Sequence, residues 1–230
     1  MKNIRNIKSL PVVVLFVSLC LLVSCASKPH KQTGFLGDYS NMVQTKNFHR
    51  FYTEPGVDFK TYKNIVIKPV NIDYLQKLRW YDEQYNQVEL KELTDFMKQE
   101  FAEELGKSYL INQSPEKASE TLVLETALVK LAPVDVGSNV ITSAVIAMPL
   151  SKGEVALEGR MVDATSGKTV LRFTDARAGK DSLVNVKDFT KLGHARVAVT
   201  EWAVELRGIM QLGEAERKGY FGGTFELKPW

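Results

Sequence analysis

Residues 153–179 read GEVALEGRMVDATSGKTVLRFTDARAG, and this stretch decides the fold class. Apolar residues alternate with polar ones on both sides of the turn-forming DATSG, the pattern of two half-buried antiparallel strands. Val155, Leu157 and Met161 lie on the first arm, Leu171 and Phe173 on the second. Side chains alternate with a period of two, so placing both sets on one face requires a loop with an odd number of residues. A three-residue turn with Gly167 in the left-handed region meets that requirement. The opposite face then carries Glu158, Arg160 and Arg172, with Glu158 opposite or diagonal to Arg172. An exposed cross-strand ion pair of that kind is worth only about a few tenths of a kcal/mol.

Upstream, TLVLETALVKLAPV from Thr121 is nearly continuous in apolar residues and predicts a long strand. YKNIVIKPV, Tyr62 to Val70, predicts another. Its Ile65, Val66 and Ile67 are consecutive and β-branched, which suits a strand covered on both faces, and Pro69 marks its end. Between these strands Leu90, Leu93, Phe96, Met97, Phe101 and Leu105 recur at three- and four-residue steps, predicting a helix from about Val88 to Leu105 with Gly106 as its C-cap. A second helix is predicted from about Asp188 to Leu212. Its apolar stripe is Phe189, Leu192, Val199, Trp202, Ala203, Leu206, Ile209 and Met210, with His194 on the polar side. The expected class is therefore α+β: a mixed or antiparallel sheet with two amphipathic helices packed on one face. It forms a single domain over residues 34–213. Residues 214–230, Gly-rich and aromatic, read as a C-terminal tail. NVITSAVIAMPL, residues 139–150, is too short to span a bilayer as a helix and reads as buried or as a contact with membrane or partner.

The first residues carry an address. Lys2, Arg5 and Lys8 precede an apolar run from Leu10 to Val23. A helix of that length spans about 21 Å against a hydrocarbon core of about 30 Å. It suits the h-region of a signal peptide over residues 1–24. Leu22-Val23-Ser24-Cys25 resembles the bacterial lipobox, in which the thiol takes a diacylglyceryl group, cleavage falls between Ser24 and Cys25, and the new amino group is acylated. Residues 25–33 then form a lipidated tether. Of the two cysteines, Cys20 leaves with the signal and Cys25 is acylated, so neither a disulfide nor a thiolate zinc site is expected. Ala26 rather than Asp after the cysteine favours, for a Gram-negative source, outer-membrane sorting with the domain facing the periplasm.

Removing residues 1–24 takes three of the 30 Lys+Arg and none of the 27 Asp+Glu, so the mature formal charge is 27 − 27 = 0. A nucleic-acid partner is not expected of a neutral chain. His30, His49 and His194 show no metal spacing, and no nucleophile elbow, P-loop or dinucleotide fingerprint occurs. Asp163, Asp175 and Asp181 form a conceivable carboxylate cluster, but two of them flank hairpin ends, where Asp forms turns. No cofactor and no enzymatic activity are expected.

The best candidate for binding is the aromatic loop of residues 71–86. Tyr74, Arg79, Trp80, Tyr81 and Tyr85 are of the types that dominate interface hot spots, although covering a sheet edge is the simpler reading of them. Together GFLGDYS (34–40), YKNIVIKPV, VDATSGKTVLRFTDARAG (162–179) and FTKLGHARVAVTEWAVELR (189–207) resemble a family of bacterial lipoproteins known as domain of unknown function 3313. The resemblance covers most of the mature chain and implies no established activity and no catalytic residues. The expected function is that of a membrane-anchored envelope lipoprotein with a structural or protein-interaction role, binding an envelope protein. The alternative is a small-ligand-binding or enzymatic site between the sheet and the 71–86 loop, served by a buried carboxylate such as Asp73 or Asp82. A third reading is a channel or ring subunit that inserts residues 139–150.

Overall fold

A computed structural model describes residues 31–75, 87–112, 119–132, 153–178 and 192–217. Its elements are β1 (Arg50–Thr53), β2 (Asn64–Ile67), α1 (Gln87–Gly106), β3 (Leu110–Asn112), β4 (Thr121–Ala132), β5 (Glu154–Asp163), β6 (Thr169–Ala178) and α2 (Gly193–Gln211), with a 3-10 turn at Phe59–Thr61. The strands form one six-stranded sheet in the order β1-β6-β5-β4-β2-β3. Pairing is antiparallel from β1 through β4 and parallel for β4/β2 and β2/β3. The parallel pair β2/β3 is joined through α1, because parallel neighbours need a long crossover rather than a tight turn. The sheet is mixed, as expected.

The 153–179 hairpin places its apolar residues on one face, but by a different device. Asp163 N–H donates to the Lys168 carbonyl, leaving a loop of residues 164–167, an even number. The parity is restored inside β6. Met161 faces Leu171 while Val162 faces Thr169, so Val170 is an extra residue in a β-bulge. Gly167 does adopt φ +70, and its N–H donates to the Asp163 carbonyl at 2.8 Å.

Both helices pack on one face of the sheet. Leu93, Met97, Phe101 and Leu105 of α1 and Val199, Trp202, Leu206 and Met210 of α2 meet Ile65, Leu122, Leu124, Leu128, Leu157, Met161, Leu171 and Phe173 in one core. Burying each large side chain of this kind stabilises the fold by about 1.5–3 kcal/mol. Gly159 in mid-strand gives room to Phe173, which it faces across the β5/β6 pair. A Cβ there would lie 2.2 Å from the ring.

Three elements differ from the sequence reading. β1, which no apolar alternation announces, is an edge strand that pairs with β6. β3 is a three-residue strand with exposed side chains and no apolar pattern to announce it. α2 starts at Gly193, with Leu192 as a non-helical cap; Asp188 and Phe189 lie outside the described residues. Gly106 is the last residue of α1 without a positive φ. The chain leaves through tighter turns, Ser108 N–H and Tyr109 N–H both donating to the Leu105 carbonyl at 3.0 Å. Of the segment 214–230 read as a tail, residues 214–217 are helical, and the buried Arg217 donates to the Leu212 carbonyl and lies over the Phe59 ring; residues 218–230, 139–150 and 1–30 lie outside the described residues.

Candidate functional site

The second face of the sheet is shallow. Ala127, Val129, Ala156 and Ala176 line it, and Phe35 packs on them. Phe35 belongs to residues 33–40, a strap that crosses this face. Tight turns shape it: Gly34 has φ +97, Gly37 φ +74 and Asn41 φ +57, conformations natural to Gly and tolerated by Asn. Gly37 N–H donates to the Gly34 carbonyl at 3.1 Å.

The strap is seated on two charged side chains. Glu158, fully buried, accepts from Thr33 N–H at 3.2 Å, Thr33 Oγ1 at 2.9 Å and Tyr39 Oη at 2.6 Å. Arg172, also buried, donates through Nη1 to the Asp38 carbonyl at 2.7 Å and to the Asp38 carboxylate, and through Nη2 to the Ser40 carbonyl at 3.3 Å. Its guanidinium lies 4.3 Å from the Tyr52 ring centroid, and its Nε has no hydrogen-bond partner. The Arg172 hydrogen bond, aided by backbone and hydroxyl donors of Ser40, holds the Asp38 carboxyl down at about 2. Burial and the hydrogen bond to Glu158 push the Tyr39 phenol up. Arg160 completes the face, pairing with Glu125 at 2.7 Å and lying 5.3 Å from the Phe35 ring centroid.

The alternation of the hairpin puts Glu158 opposite or diagonal to Arg172 as a cross-strand pair, of small worth if exposed. They do sit diagonally, since Glu158 faces Thr174 and Arg172 faces Arg160. Both, however, are buried beneath the strap, because a polar alternation cannot reveal that a distant segment folds over that face. Within GFLGDYS it is Phe35, Leu36 and Tyr39 that pin the chain to the domain.

Of the proposed interaction residues, Tyr74 is described. Its ring packs edge-on against Phe35, with centroids 5.5 Å apart, and is 38% exposed, so it abuts the strap rather than standing free. Arg79, Trp80, Tyr81 and Tyr85 lie outside the described residues, as do Ser24, Cys25, Asp82, His30 and Asp181. Asp73 is exposed in a local turn, its N–H donating to Asn71 Oδ1 at 2.7 Å. It is not the buried carboxylate that a ligand site beside this loop would use.

A second polar cluster ties β6 to α2. Asp175 lies within β6 rather than at a hairpin end, and it is buried. It accepts from Trp202 Nε1 at 2.7 Å, His49 N–H at 3.1 Å and Arg177 Nε at 2.9 Å, with His49 Nδ1 2.6 Å away. Arg177 also pairs with Glu201 and Glu205 of α2. Burial raises the Asp175 carboxyl, but the His49, Trp202 and Arg177 donors together hold it below its ordinary value. Asp163, by contrast, forms the expected turn. Its carboxylate accepts from Thr165 N–H, Ser166 N–H and Tyr62 Oη.

His194 is not on a polar face of α2. It is 6% exposed, packed against Gly153, and neither ring nitrogen has a hydrogen-bond partner of acceptable geometry. Burial pushes its pKa down to about 4, only partly opposed by backbone groups of Glu154 and Ala132. Among the described residues, no group of three or more His, Cys, Asp or Glu side chains is placed to hold a metal ion.

The family described as "Protein of unknown function (DUF3313)" matches residues 31–206, from the start of the strap to the last turns of α2. The chain belongs to the DUF3313 family. No curated protein matches it. Among solved structures, this DUF3313 chain is similar to the PelC dodecamer from Paraburkholderia phytofirmans, at 15% identity over 69% of this chain and 95% of that one, with a TM-score of 0.41. It is similar to the hypothetical protein CT253 from Chlamydia trachomatis at 12% identity over 65% and 98% of the two chains, with a TM-score of 0.41. It is also similar to lipoprotein GNA1162 from Neisseria meningitidis at 13% identity over 62% and 99%, with a TM-score of 0.33.

Proposed function

We propose that this DUF3313 protein is an envelope lipoprotein that carries an N-acyl diacylglyceryl group on Cys25 and whose α+β domain acts, without catalysis, by binding another envelope protein. The observation that carries the reading is the lipobox at residues 22–25, which lies just ahead of a strap fixed to the domain. Thr33 is eight residues beyond Cys25. At about 3.3–3.6 Å per residue the first seated residue stands within about 30 Å of the lipid. Among the described residues, no helix is long and apolar enough to cross a membrane. Anchoring by acyl chains needs none, since two or more chains suffice for stable attachment. Ala26 supports the outer membrane, with the domain in the periplasm. The mature chain's neutral formal charge supports a protein partner over nucleic acid.

The interaction residues in this reading are Tyr74, Arg79, Trp80, Tyr81 and Tyr85, in a segment that begins against the strap through the Tyr74–Phe35 contact. The experiment is fractionation with mass spectrometry of the amino terminus. The native protein is expected in membranes with an acylated Cys25, and Cys25→Ala is expected to lose both the acyl group and the membrane association. Native protein with an unmodified or uncleaved amino terminus refutes the anchor. Crosslinking in intact cells with Trp80→Ala and Tyr81→Ala then tests the partner. A crosslinked species unchanged by both substitutions removes the loop from the interface.

A further inference from the structure

We propose that residues 33–40 are a latch that opens as a unit and sets how far the domain stands from its membrane anchor. The inference rests on the anchoring reading only for the word membrane; the latch itself rests on geometry.

The strap is held differently from the rest of the domain. It makes no backbone–backbone hydrogen bond to the sheet among the described residues; its one such bond is internal, from Gly37 to Gly34. Among the described residues its polar attachments to the sheet run through side chains: Glu158, Arg172 and, at 3.5 Å, Arg160 to the Phe35 carbonyl. Its buried apolar contribution is Leu36 and the half-buried Phe35. Segments with few apolar contacts and no ladder open locally at a lower free energy than the strands beneath them.

Three features suit the strap to opening as a unit rather than fraying piecemeal. First, Tyr39 Oη is a hub. It donates to Glu158 and accepts from Gly34 N–H at 2.9 Å and Leu36 N–H at 3.4 Å, so loss of the Glu158 contact undoes the internal fold of the strap as well. Second, opening need not strand buried charge. Glu158 and Arg172 are diagonal neighbours on β5 and β6, about 7–8 Å apart at Cα, and a guanidinium reaches that far. Third, a hinge and a stop follow directly. Asn41 has φ +57. Val43 is then fixed to β1 by a reciprocal pair of backbone hydrogen bonds with Phe51, at 2.9 and 2.8 Å.

Among the described residues, opening would move the first fixed residue from Thr33 to Val43, adding ten residues to the tether. The maximum reach from Cys25 would grow from about 30 Å to about 60 Å. A domain that must touch a partner at two depths, or yield under tension without unfolding, gains that range from the strap alone.

The test uses the purified, acylated full chain in phospholipid vesicles, as wild type, Tyr39→Phe and Glu158→Gln. Hydrogen exchange read by mass spectrometry is expected to show amides of residues 33–40 exchanging at least about tenfold faster in Tyr39→Phe than in wild type, with β4 and β5 unchanged, since a hydrogen bond to a charged acceptor is lost. Lys98 is exposed on α1, on the opposite face, so a dye on Lys98→Cys reports the distance to acceptor lipids. That distance is expected to rise in Tyr39→Phe and Glu158→Gln. Strap amides that exchange in step with β4 and β5 in every variant overturn the latch, and a freed strap with an unchanged dye–bilayer distance overturns its reach-setting role. A mass spectrum without acyl groups sinks the anchoring reading instead, while the exchange data still decide the latch.

Discussion

His194→Leu tests most directly the burial that the fold imposes on a titratable group. The imidazole is neutral in the folded domain, its pKa held near 4 by burial, against an ordinary 6.5. The shift is downward, so the unfolded chain binds more protons between these values, and stability falls as pH drops below about 6.5. The full gap corresponds to about 3.4 kcal/mol at about 1.36 kcal/mol per pH step. At about pH 5 the unfolded imidazole is nearly all charged and the folded one nearly all neutral, so about 2 kcal/mol is lost between about pH 7 and pH 5. The protonated ring would also sit at the N-terminal end of α2, where positive charge is disfavoured. Leucine keeps an apolar side chain against Gly153 and removes two nitrogens that make no well-formed hydrogen bond, losing only the weak opposition of the Glu154 and Ala132 backbone groups. At pH 7 the variant is therefore expected to match wild type to within about 1 kcal/mol. Urea unfolding of both proteins at both pH values is the assay. Wild type should lose about 2 kcal/mol more than the variant on acidification. Parallel losses would show that His194 is hydrated or already charged in the folded state, and would refute the burial argument.

Other outcomes follow from single contacts. Gly159→Ala would place a Cβ 2.2 Å from the Phe173 ring in the centre of the core; it is expected to cost about 3 kcal/mol, read as a lower urea midpoint, and a midpoint equal to wild type would show that the ring has room to move. Trp202→Phe removes the indole donor from the buried Asp175 carboxylate, at an expected cost of about 1.5–3 kcal/mol. Because that donor helps hold the Asp175 pKa below its ordinary value, the variant should also acid-unfold at a higher pH, and an unchanged acid midpoint would mean that His49 and Arg177 hold the carboxylate without it.

The α+β class, the 153–179 hairpin and the core faces of both helices were legible because each obeys a local period. Leu93, Met97 and Phe101 repeat every three or four residues, and Leu157, Met161, Leu171 and Phe173 alternate every two. β1 and β3 were not legible. Four and three residues carry too short a period, and both become strands because β6 and β2 offer them a hydrogen-bonding edge. The bulge at Val170 shows the same limit from the other side. The parity requirement could be read from the hairpin, but not whether a loop or a strand supplies the extra residue.

The candidate site divides along that line. The sequence by itself determined the address at Cys25, the neutral mature charge and the aromatic character of GFLGDYS and the 71–86 loop, since these depend on residues adjacent in the chain. Only the tertiary structure decided that Glu158, Arg172, Asp175 and His194 are buried. Each sits on an element whose own pattern leaves it polar or neutral, and each is covered by a segment far away in sequence: the strap at 33–40 over β5 and β6, α2 over Asp175, and the start of β5 over His194. Local periodicity records which face of an element avoids water, whereas burial of a charge depends on which distant donors arrive to replace the water, and no single element encodes that.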